Sequence, residues 1–294
     1  MKKFTLIAWA AACILAAACA GGPKPLKTSV CQAADSAAYV TMSLDIELPD
    51  PGTGASGAIR RELVSLLDDQ LGTISSYENE RHFPPFSGDA DDNGALLEYY
   101  RSHAFAVVDS LSSGDAAERA SYIREDPDLT EEQKAEILAD FPVWSFEYTL
   151  KKVAETERYA VFQSQNYIYM GGAHGGLTGA GCVTFDKKDG HRVAAFLEPS
   201  CVTEIQPLLL GGLASYFSEF GDPVSPEAVR EQLFVEDGPI PLPAWTPYPT
   251  EEGLAFVYQQ YEIASYAAGM PAFTLPYEDI APWLTADARQ LLGL

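Results

Sequence analysis

Segments with strand periodicity and segments with helix periodicity come in blocks along this chain, and this order most constrains the fold. Apolar and polar residues alternate over Ala37–Leu48, which predicts a half-buried strand. Three helical patterns follow, at 59–71, at 95–111 and from Thr130 to just before Pro142. Alternation returns over Val143–Val153 and Arg158–Met170. Blocks of this kind favour the α+β class, with antiparallel sheets and flanking helices, over a doubly wound parallel sheet.

The remainder of the chain continues this mixed pattern. We expect strands at 181–186, 192–197, 253–261 and 273–275, and helices at 203–220, 226–233 and 286–292. Ser225 followed by Pro226 is typical of a helix start. The sequence therefore predicts two closely associated subdomains, one over 35–170 and one over 171–294.

The N-terminus has the composition of an export signal. Two lysines precede an apolar run that ends in small residues, and the run is shorter than a membrane-spanning helix requires. Cys19 directly follows Leu-Ala-Ala-Ala, an arrangement that resembles a bacterial lipobox, in which the cysteine is lipidated. We expect a signal over 1–18 and a tether over 19–34, with the mature chain held at the cell envelope by lipid on Cys19. The alternative is an ordinary cleaved signal with an incidental cysteine, and the sequence leaves the membrane leaflet undetermined.

The charge restricts the possible partners. Removing residues 1–18 takes away two lysines and no acid, so the net charge moves from −23 to −25. Such a chain lacks the basic face that nucleic-acid binding needs, and it would be repelled by anionic lipid headgroups. The acidity either steers a cationic protein partner to the surface or only keeps the protein soluble.

Three cysteines remain after Cys13 leaves with the signal and Cys19 takes the lipid. Cys182 and Cys201 flank a hairpin-like region and are the preferred disulfide, although Cys31 could pair with either of them or no bridge could form. The sequence contains no Cys-x-x-Cys, so neither a zinc knuckle nor a thioredoxin-like site is indicated.

No stretch of the sequence carries a recognised catalytic or metal-binding motif. Asp89-Ala90-Asp91-Asp92-Asn93-Gly94 is similar to a calcium loop but has Tyr100 where the bidentate glutamate belongs, so we interpret it as a loop that caps the next helix. Asp68 and Asp69 are interpreted as a solvated helix face. We therefore predict no cofactor, no metal and no catalytic residue.

Two segments of the second half stand out. The first is Tyr169-Met170-Gly171-Gly172-Ala173-His174-Gly175-Gly176, and the second is Tyr261-Glu262-Ile263-Ala264-Ser265-Tyr266-Ala267-Ala268-Gly269-Met270-Pro271. With Phe273-Thr274-Leu275-Pro276-Tyr277, they resemble the DUF3298 family over about 171–284. That family is similar to the extracellular region of a lysozyme-sensing anti-sigma protein, RsiV. The preceding region resembles the PdaC-type companion domain, DUF4163. Ser265 and Gly175 stand where family members often have proline.

These segments supply the candidate site residues, which are Gly171, Gly172, His174, Tyr261, Glu262, Tyr266 and Gly269. Glycines around one histidine permit close backbone approaches, and such a loop could hold a sugar or a phosphate. We expect His174 and Glu262 to form a polar hub that is architectural, with ligand contact or catalysis as alternatives.

The resemblance implies a non-enzymatic recognition protein of the cell envelope. Its ligand would be a protein or a peptidoglycan-related glycan, and a cationic lysozyme-type muramidase is the most concrete candidate. The alternatives are a cell-wall polysaccharide-modifying enzyme that uses His174 and Glu262, and a purely structural envelope lipoprotein.

Overall fold

The computed structural model describes residues 24–74, 80–172, 175–219, 223–235 and 238–294. The signal, residues 19–23 of the predicted tether, including Cys19, and His174 lie outside these residues. The first sheet has the strands β1 (Thr28–Ala37), β2 (Val40–Pro49), β3 (Trp144–Glu155), β4 (Tyr159–Tyr169) and β5 (Leu177–Asp186), in that spatial order. Between β2 and β3 lie the helices α1 (Gly54–Gly72), α2 (Asn93–Glu125) and α3 (Glu131–Ala139).

The five-stranded sheet is mixed rather than purely antiparallel. β2 and β3 pair in parallel, with Val40 opposite Trp144, whereas all other neighbours in the sheet are antiparallel. The parallel pair follows from the long helical connection, which returns the chain to the end of the sheet where β2 began. The predicted α+β class is confirmed, and the strand direction is corrected at this one pair.

Helices α1 and α2 pack on one face of the sheet. The inward residues of β2, from Val40 to Leu48, are at most 3% exposed and meet Ile59 and Leu63 of α1 and Tyr100 of α2. The opposite face of β2 carries Thr41 and Ser43, which are exposed. The alternation that predicted a half-buried strand therefore describes β2 correctly.

Helix α2 is longer than its apolar pattern predicted. Beyond Leu111 its buried stripe continues as Ser112, Ala116 and Ala120, which are spaced by four residues. Small residues on the buried face give a weak hydrophobic signal, so the sequence pattern ended at Leu111, well before the end of the helix at Glu125. The predicted capping box of α3 is present, since Thr130 Oγ1 accepts from the Gln133 amide and Gln133 Oε1 from the Thr130 amide.

Strand β1 corrects the predicted tether over 19–34. Residues from Thr28 onward form a hairpin with β2, and Ala37 and Val40 flank a two-residue turn. The strand was missed because its side chains are mostly small or polar, so it lacks an apolar alternation. Pairing with β2, rather than burial of its own side chains, makes this segment a strand.

The second unit follows β5 and packs on the other face of the same sheet. Its elements are α4 (Gln206–Ser218), α5 (Pro226–Arg230), β6 (Tyr248–Pro249), β7 (Leu254–Val257), β8 (Ala272–Leu275), α6 (Tyr277–Ile280) and α7 (Ala286–Leu292). The three strands form an antiparallel sheet in the order β6-β7-β8. Its core includes Tyr159 and Val161 of β4 and Cys182 of β5.

The two units therefore share β4 and β5. Because β5 belongs to the first sheet, the predicted boundary at residue 171 falls inside that sheet rather than between two domains. The segment 192–197 is not the predicted strand, since Arg192 forms only a single bridge with Phe185. No helix in the described ranges combines the length and apolar character needed to span a bilayer.

Candidate functional site

The Gly-rich loop begins where β4 ends, and helix α2 fixes this point. Arg119 donates from Nη1 to the Gly171 carbonyl at 2.9 Å and from Nη2 to the Met170 carbonyl at 3.1 Å. Gly171 has a φ of +71°, and a Cβ there would come 2.5 Å from Pro142 Cγ. A side chain at this position would meet both a backbone strain and a steric clash.

The far end of the loop is held by two tyrosines. The Tyr266 hydroxyl donates to the Gly176 carbonyl at 2.8 Å. A Cβ on Gly176 would lie 2.3 Å from Tyr167 Cε2, so the loop backbone approaches that ring closely. Tyr266 thus joins the two segments that the sequence singled out.

Glu262 serves the backbone around it. Its Oε2 accepts from the Gln259 amide and its Oε1 from the Ala244 amide, both at 2.7 Å. Each carboxylate oxygen therefore stabilises a main-chain donor, and these bonds link the turn at 259–262 to the proline-rich segment 239–249. The contact between Glu262 and His174 stays a prediction, since His174 lies outside the described residues.

Gly269 also has an architectural role. Its φ is +72°, and a Cβ there would come 3.1 Å from the Tyr216 hydroxyl. Tyr216 donates to the neighbouring Ala268 carbonyl at 2.8 Å. The residue therefore turns the chain into β8 under the end of α4.

The segment before Glu262 covers the β5 edge of the large sheet. The Gln259 side chain receives the Ala180 amide at 2.9 Å and donates to the Ala180 carbonyl at 2.8 Å. Gln260 Oε1 accepts from the Thr178 amide at 2.7 Å. These side-chain amides replace a sixth strand along β5. Sequence reasoning missed them, and the Gln259-Gln260 pair before Tyr261 was the available signal.

Tyr261 differs from these neighbours in its backbone conformation and in the exposure of its side chain. It has a φ of +64°, and it is the one non-glycine residue with positive φ in the described part of the chain. Its side chain is 57% exposed, and its ring lies 5.8 Å from that of Tyr266. A bulky residue in the left-handed region is an outlier that often marks a functional position.

Three tyrosines contact the described ends of the Gly-rich loop, and a fourth, Tyr261, lies beside Tyr266. We call this set the tyrosine patch: Tyr167, Tyr169, Tyr261 and Tyr266. Each is half-buried or exposed, and the Tyr169 hydroxyl lies 3.5 Å from the Gly172 carbonyl. Tyr167 and Tyr169 share one face of β4 with Gln163 and Gln165. The patch therefore adjoins an open polar sheet face, and aromatic rings beside amides suit contact with a protein or a sugar.

A shallow groove lies on the same open face and adjoins the tyrosine patch, since Ser145 and Glu147 of its lining are the register partners of Tyr169 and Tyr167. Its volume is about 510 Å³, and its lining includes Ala34, Thr41, Ser43, Ser145 and Glu147. A second groove of about 490 Å³ lies on α2 and contains His82 and His103. His82 Nε2 lies 2.7 Å from the Ile74 carbonyl, and His103 Nδ1 lies 2.9 Å from the Tyr99 carbonyl. These contacts give each histidine a structural partner.

The predicted disulfide between Cys182 and Cys201 is not formed. Both residues are buried free thiols, and Cys31 is also free. Cys182 hydrogen-bonds with Tyr248, and burial raises the pKa of its thiol to about 12. The inward direction of Cys182 on β5 places it against Tyr248 of β6 rather than against a second cysteine.

Two acidic motifs take structural roles. Asp68 is buried rather than solvated, and its Oδ1 accepts from the Tyr100 hydroxyl and the Phe86 amide, both at 2.7 Å. In the loop that is similar to a calcium site, Arg60 supplies the positive charge. The Arg60 side chain is 1% exposed, donates to the Ala90 carbonyl at 2.7 Å and lies 3.4 Å from Asp91. The loop also caps α2 as predicted, since Asp92 Oδ1 accepts from the Ala95 amide.

One group of described side chains has the composition of a metal site. Potential ligand atoms of Asp186, Asp189 and His191 lie within 4.8 Å of one another at an exposed turn. Asp189 accepts from the His191 backbone amide and from His191 Nδ1, and these bonds lower the pKa of its carboxyl group. The group already forms a hydrogen-bonded turn without a metal.

The comparisons with known proteins agree on one family. Residues 225–278 match DUF3298, described as a protein of unknown function. No curated protein matches the chain. The match includes the Tyr261–Pro271 segment, whereas the Gly-rich loop lies before it. The likeness of the upstream region to DUF4163, and that of the whole to the lysozyme sensor, stay predictions.

Solved structures extend the likeness over most of the chain. A DUF3298 family member from Bacteroides fragilis NCTC 9343 is 14% identical, with 92% of this chain and 98% of that one covered and a TM-score of 0.61. A DUF3298 family protein from Pseudomonas aeruginosa PAO1 is 13% identical, with 91% and 98% covered and a TM-score of 0.52. At these identities the likeness shows a shared fold. The DUF3298 resemblance is therefore confirmed: the chain carries a DUF3298 segment at 225–278, within a fold that it shares with solved members of that family.

Proposed function

We propose that this chain is a lipid-anchored recognition protein of the bacterial cell envelope, and that its ligand contacts the tyrosine patch. The conformation of Tyr261 carries the proposal. A left-handed backbone destabilises a residue with a side chain by about 1–2 kcal/mol, yet here it presents an exposed aromatic ring beside Tyr266. Rings held at the surface in this way are typical anchors of binding interfaces.

The ligand we propose is a protein or a peptidoglycan-related glycan, with a cationic lysozyme-type muramidase as the first candidate. The net charge of −25 that is left once residues 1–18 are removed favours the approach of a cationic protein. Tyrosine faces accept an arginine or lysine through cation–π contact and also stack on sugar rings. The anchor would be lipid on Cys19, as the lipobox-like leader suggests.

The contacts of Glu262 favour recognition over the enzymatic alternative. A catalytic carboxylate needs an oxygen that can reach the substrate. Both oxygens of Glu262 instead accept main-chain amides at 2.7 Å, which gives the residue a structural role.

The test is binding of the intact chain to hen-type lysozyme and, separately, to a soluble peptidoglycan oligosaccharide, at low and at physiological salt. We expect binding of one probe to persist at physiological salt. Tyr261→Ala should then weaken it at least tenfold, about 1.4 kcal/mol. The control is Tyr122→Ala, since Tyr122 is 67% exposed on α2 and is not part of the tyrosine patch.

Equal weakening by both variants would contradict a specific role for the tyrosine patch. Binding only at low salt would indicate nonspecific attraction between opposite charges. No binding of either probe would favour the structural-lipoprotein alternative.

A further inference from the structure

The two edges of the five-stranded sheet differ in the hydrogen bonds that their outer backbone groups make. The strand order places β1 at one edge and β5 at the other. Side chains of Gln259 and Gln260 bond the outer backbone groups of Thr178 and Ala180 on β5, and the main chain of His191 and Val193 bonds those of Asp186 and Thr184. Outside its ladder with β2, the β1 main chain makes one described hydrogen bond, from the Ser36 amide to Asp35 Oδ1 at 3.0 Å.

The outward-facing groups of β1 can be assigned from the hydrogen bonds at its two ends. The Asp50 amide donates to the Lys27 carbonyl at 2.9 Å, so Lys27 bonds toward β2. Since bonded and non-bonded pairs alternate in an antiparallel ladder, the odd-numbered residues face β2. The Ser36 amide, which bonds to Asp35, agrees with this alternation. The residues with outward N–H and C=O groups are therefore Thr28, Val30, Gln32, Ala34 and Ser36.

This edge lacks most of the features that prevent strand pairing. Natural edge strands are commonly short or carry prolines, lysines or bulges. β1 is ten residues long, is paired with β2 without a bulge, and contains neither proline nor lysine. Its one charged residue, Asp35, is ion-paired with Arg101 of α2. Both the length and the composition leave the edge able to accept another strand.

We propose that β1 pairs antiparallel with β1 of a second copy of this chain, so that two sheets join into one. Among the described strands of the smaller sheet, the edge strands β6 and β8 have two and four residues, too short to match β1. The strand of equal length and open edge that a second copy offers is β1 itself. Such a self-complementary contact closes as a two-fold dimer.

The pairing also fits the side-chain pattern. A two-fold axis perpendicular to the sheet keeps each face of the sheet continuous, so Gln32 lies opposite Gln32 or Ala33 opposite Ala33. In these two registers Asp35 faces Ser29 or Cys31 of the other copy, and no like charges oppose each other. The five outward residues of each strand would form up to about ten hydrogen bonds, the usual number for a specific interface.

The experiment is site-specific photo-crosslinking of the intact chain in cells that express two differently tagged copies. The crosslinking amino acid replaces Gln32 on β1. In the control it replaces Ser43, which is exposed on the same face but lies on the interior strand β2. We expect a covalent dimer that contains both tags from position 32, and at least tenfold less from position 43.

Ala34→Pro, combined with the crosslinker at position 32, removes an outward N–H while leaving the β2 ladder intact, and should reduce the dimer at least fivefold. Its melting temperature should match that of the parent chain. If this variant does not fold, Val30→Pro replaces it, since Val30 is also outward-facing and is 54% exposed. Adducts only with other proteins, equal dimer from both positions, or an undiminished dimer in the proline variant that folds would overturn the proposal.

Discussion

The β1 and β5 edges of one sheet show two solutions to the same chemical problem. Both strands have ten residues and leave backbone groups without a neighbouring strand on one side. Along β5 the chain supplies Gln259 and Gln260, and Trp245 packs against Gly181 so closely that a Cβ there would come 1.8 Å from the indole. Along β1 no comparable cover is present among the described residues. The difference indicates that β5 is an interior feature and that β1 is a surface for association.

The largest loss of stability should come from Glu262, which holds the segment that carries Gln259 and Gln260 along β5. Glu262→Ala removes the acceptor of two main-chain amides and should lower the free energy of unfolding by about 2–3 kcal/mol. Glu252→Ala, at an exposed position nearby, should change it by less than about 0.5 kcal/mol. Denaturant unfolding measures both, and similar values for the two variants would remove the structural role of Glu262.

The second prediction compares the two edges directly. Gln259→Ala removes both bonds to Ala180 and should lower the free energy of unfolding by about 1–2 kcal/mol. Gln32→Ala on β1 should change the stability of the monomer by less than about 0.5 kcal/mol, because its side chain is exposed on the free edge. If Gln32→Ala lowered the free energy of unfolding of dilute, monomeric protein more than Gln259→Ala does, the proposed difference between the β1 and β5 edges would be wrong.

The third prediction concerns Glu155, which accepts a hydrogen bond from the Leu26 amide just before β1. Burial raises the pKa of Glu155, but hydrogen bonds from Lys152, Lys187 and the Leu26 amide outweigh it and leave the pKa below its ordinary value. A lowered folded-state pKa stabilises the fold above the unfolded-state pKa, and this stabilisation is lost as the pH falls through the folded-state value. Glu155→Gln should lower the free energy of unfolding by about 1–2 kcal/mol at pH 7.

The difference between the parent chain and Glu155→Gln should shrink as the pH falls below about 4.3, the ordinary glutamate value. Unfolding curves measured from pH 7 to pH 3 test this dependence. The exposed Glu157→Gln serves as the control and should differ little from the parent at any pH. If the difference in the free energy of unfolding between the parent chain and Glu155→Gln stayed constant across this pH range, the charge of Glu155 would not stabilise the fold.

The smallest effect should be a gain in stability. Tyr261→Gly relieves the left-handed backbone and should raise the free energy of unfolding by up to about 1 kcal/mol. The same change should weaken ligand binding, because the exposed ring is lost. Thermal unfolding and lysozyme or glycan binding measured on one preparation would separate the two effects. A variant that is both less stable and equally active in binding would contradict the interpretation of Tyr261.

Features that depend on neighbouring residues could be predicted from the sequence. The capping box at Thr130 was predicted because its partners lie three residues apart. The alternation of β2 likewise predicted a half-buried strand, and α7 covers the predicted residues 286–292, with Thr285 accepting from the Ala288 amide. In these cases the residues that form the sequence pattern are the same residues that form the structural feature.

Features that depend on partners far away along the chain could not be predicted from the sequence. Asp68 is interpreted as solvated until Tyr100 is known to cover it, 32 residues along the chain. β1 has no apolar alternation, so only its pairing with β2 reveals it. The candidate site shows the same division: the sequence singled out Tyr261, Glu262 and Tyr266, but not the exposure of the first or the backbone bonds of the other two.

The most direct test of the two-edge account is residue-resolved amide hydrogen exchange on the intact chain at low and at high protein concentration. The Thr178 and Ala180 amides should be protected at both concentrations, since Gln260 and Gln259 accept from them. The Val30, Gln32 and Ala34 amides should exchange rapidly in dilute protein and become protected as the concentration rises. Protection of the β1 amides that is independent of concentration, or rapid exchange at Thr178 and Ala180, would contradict the account.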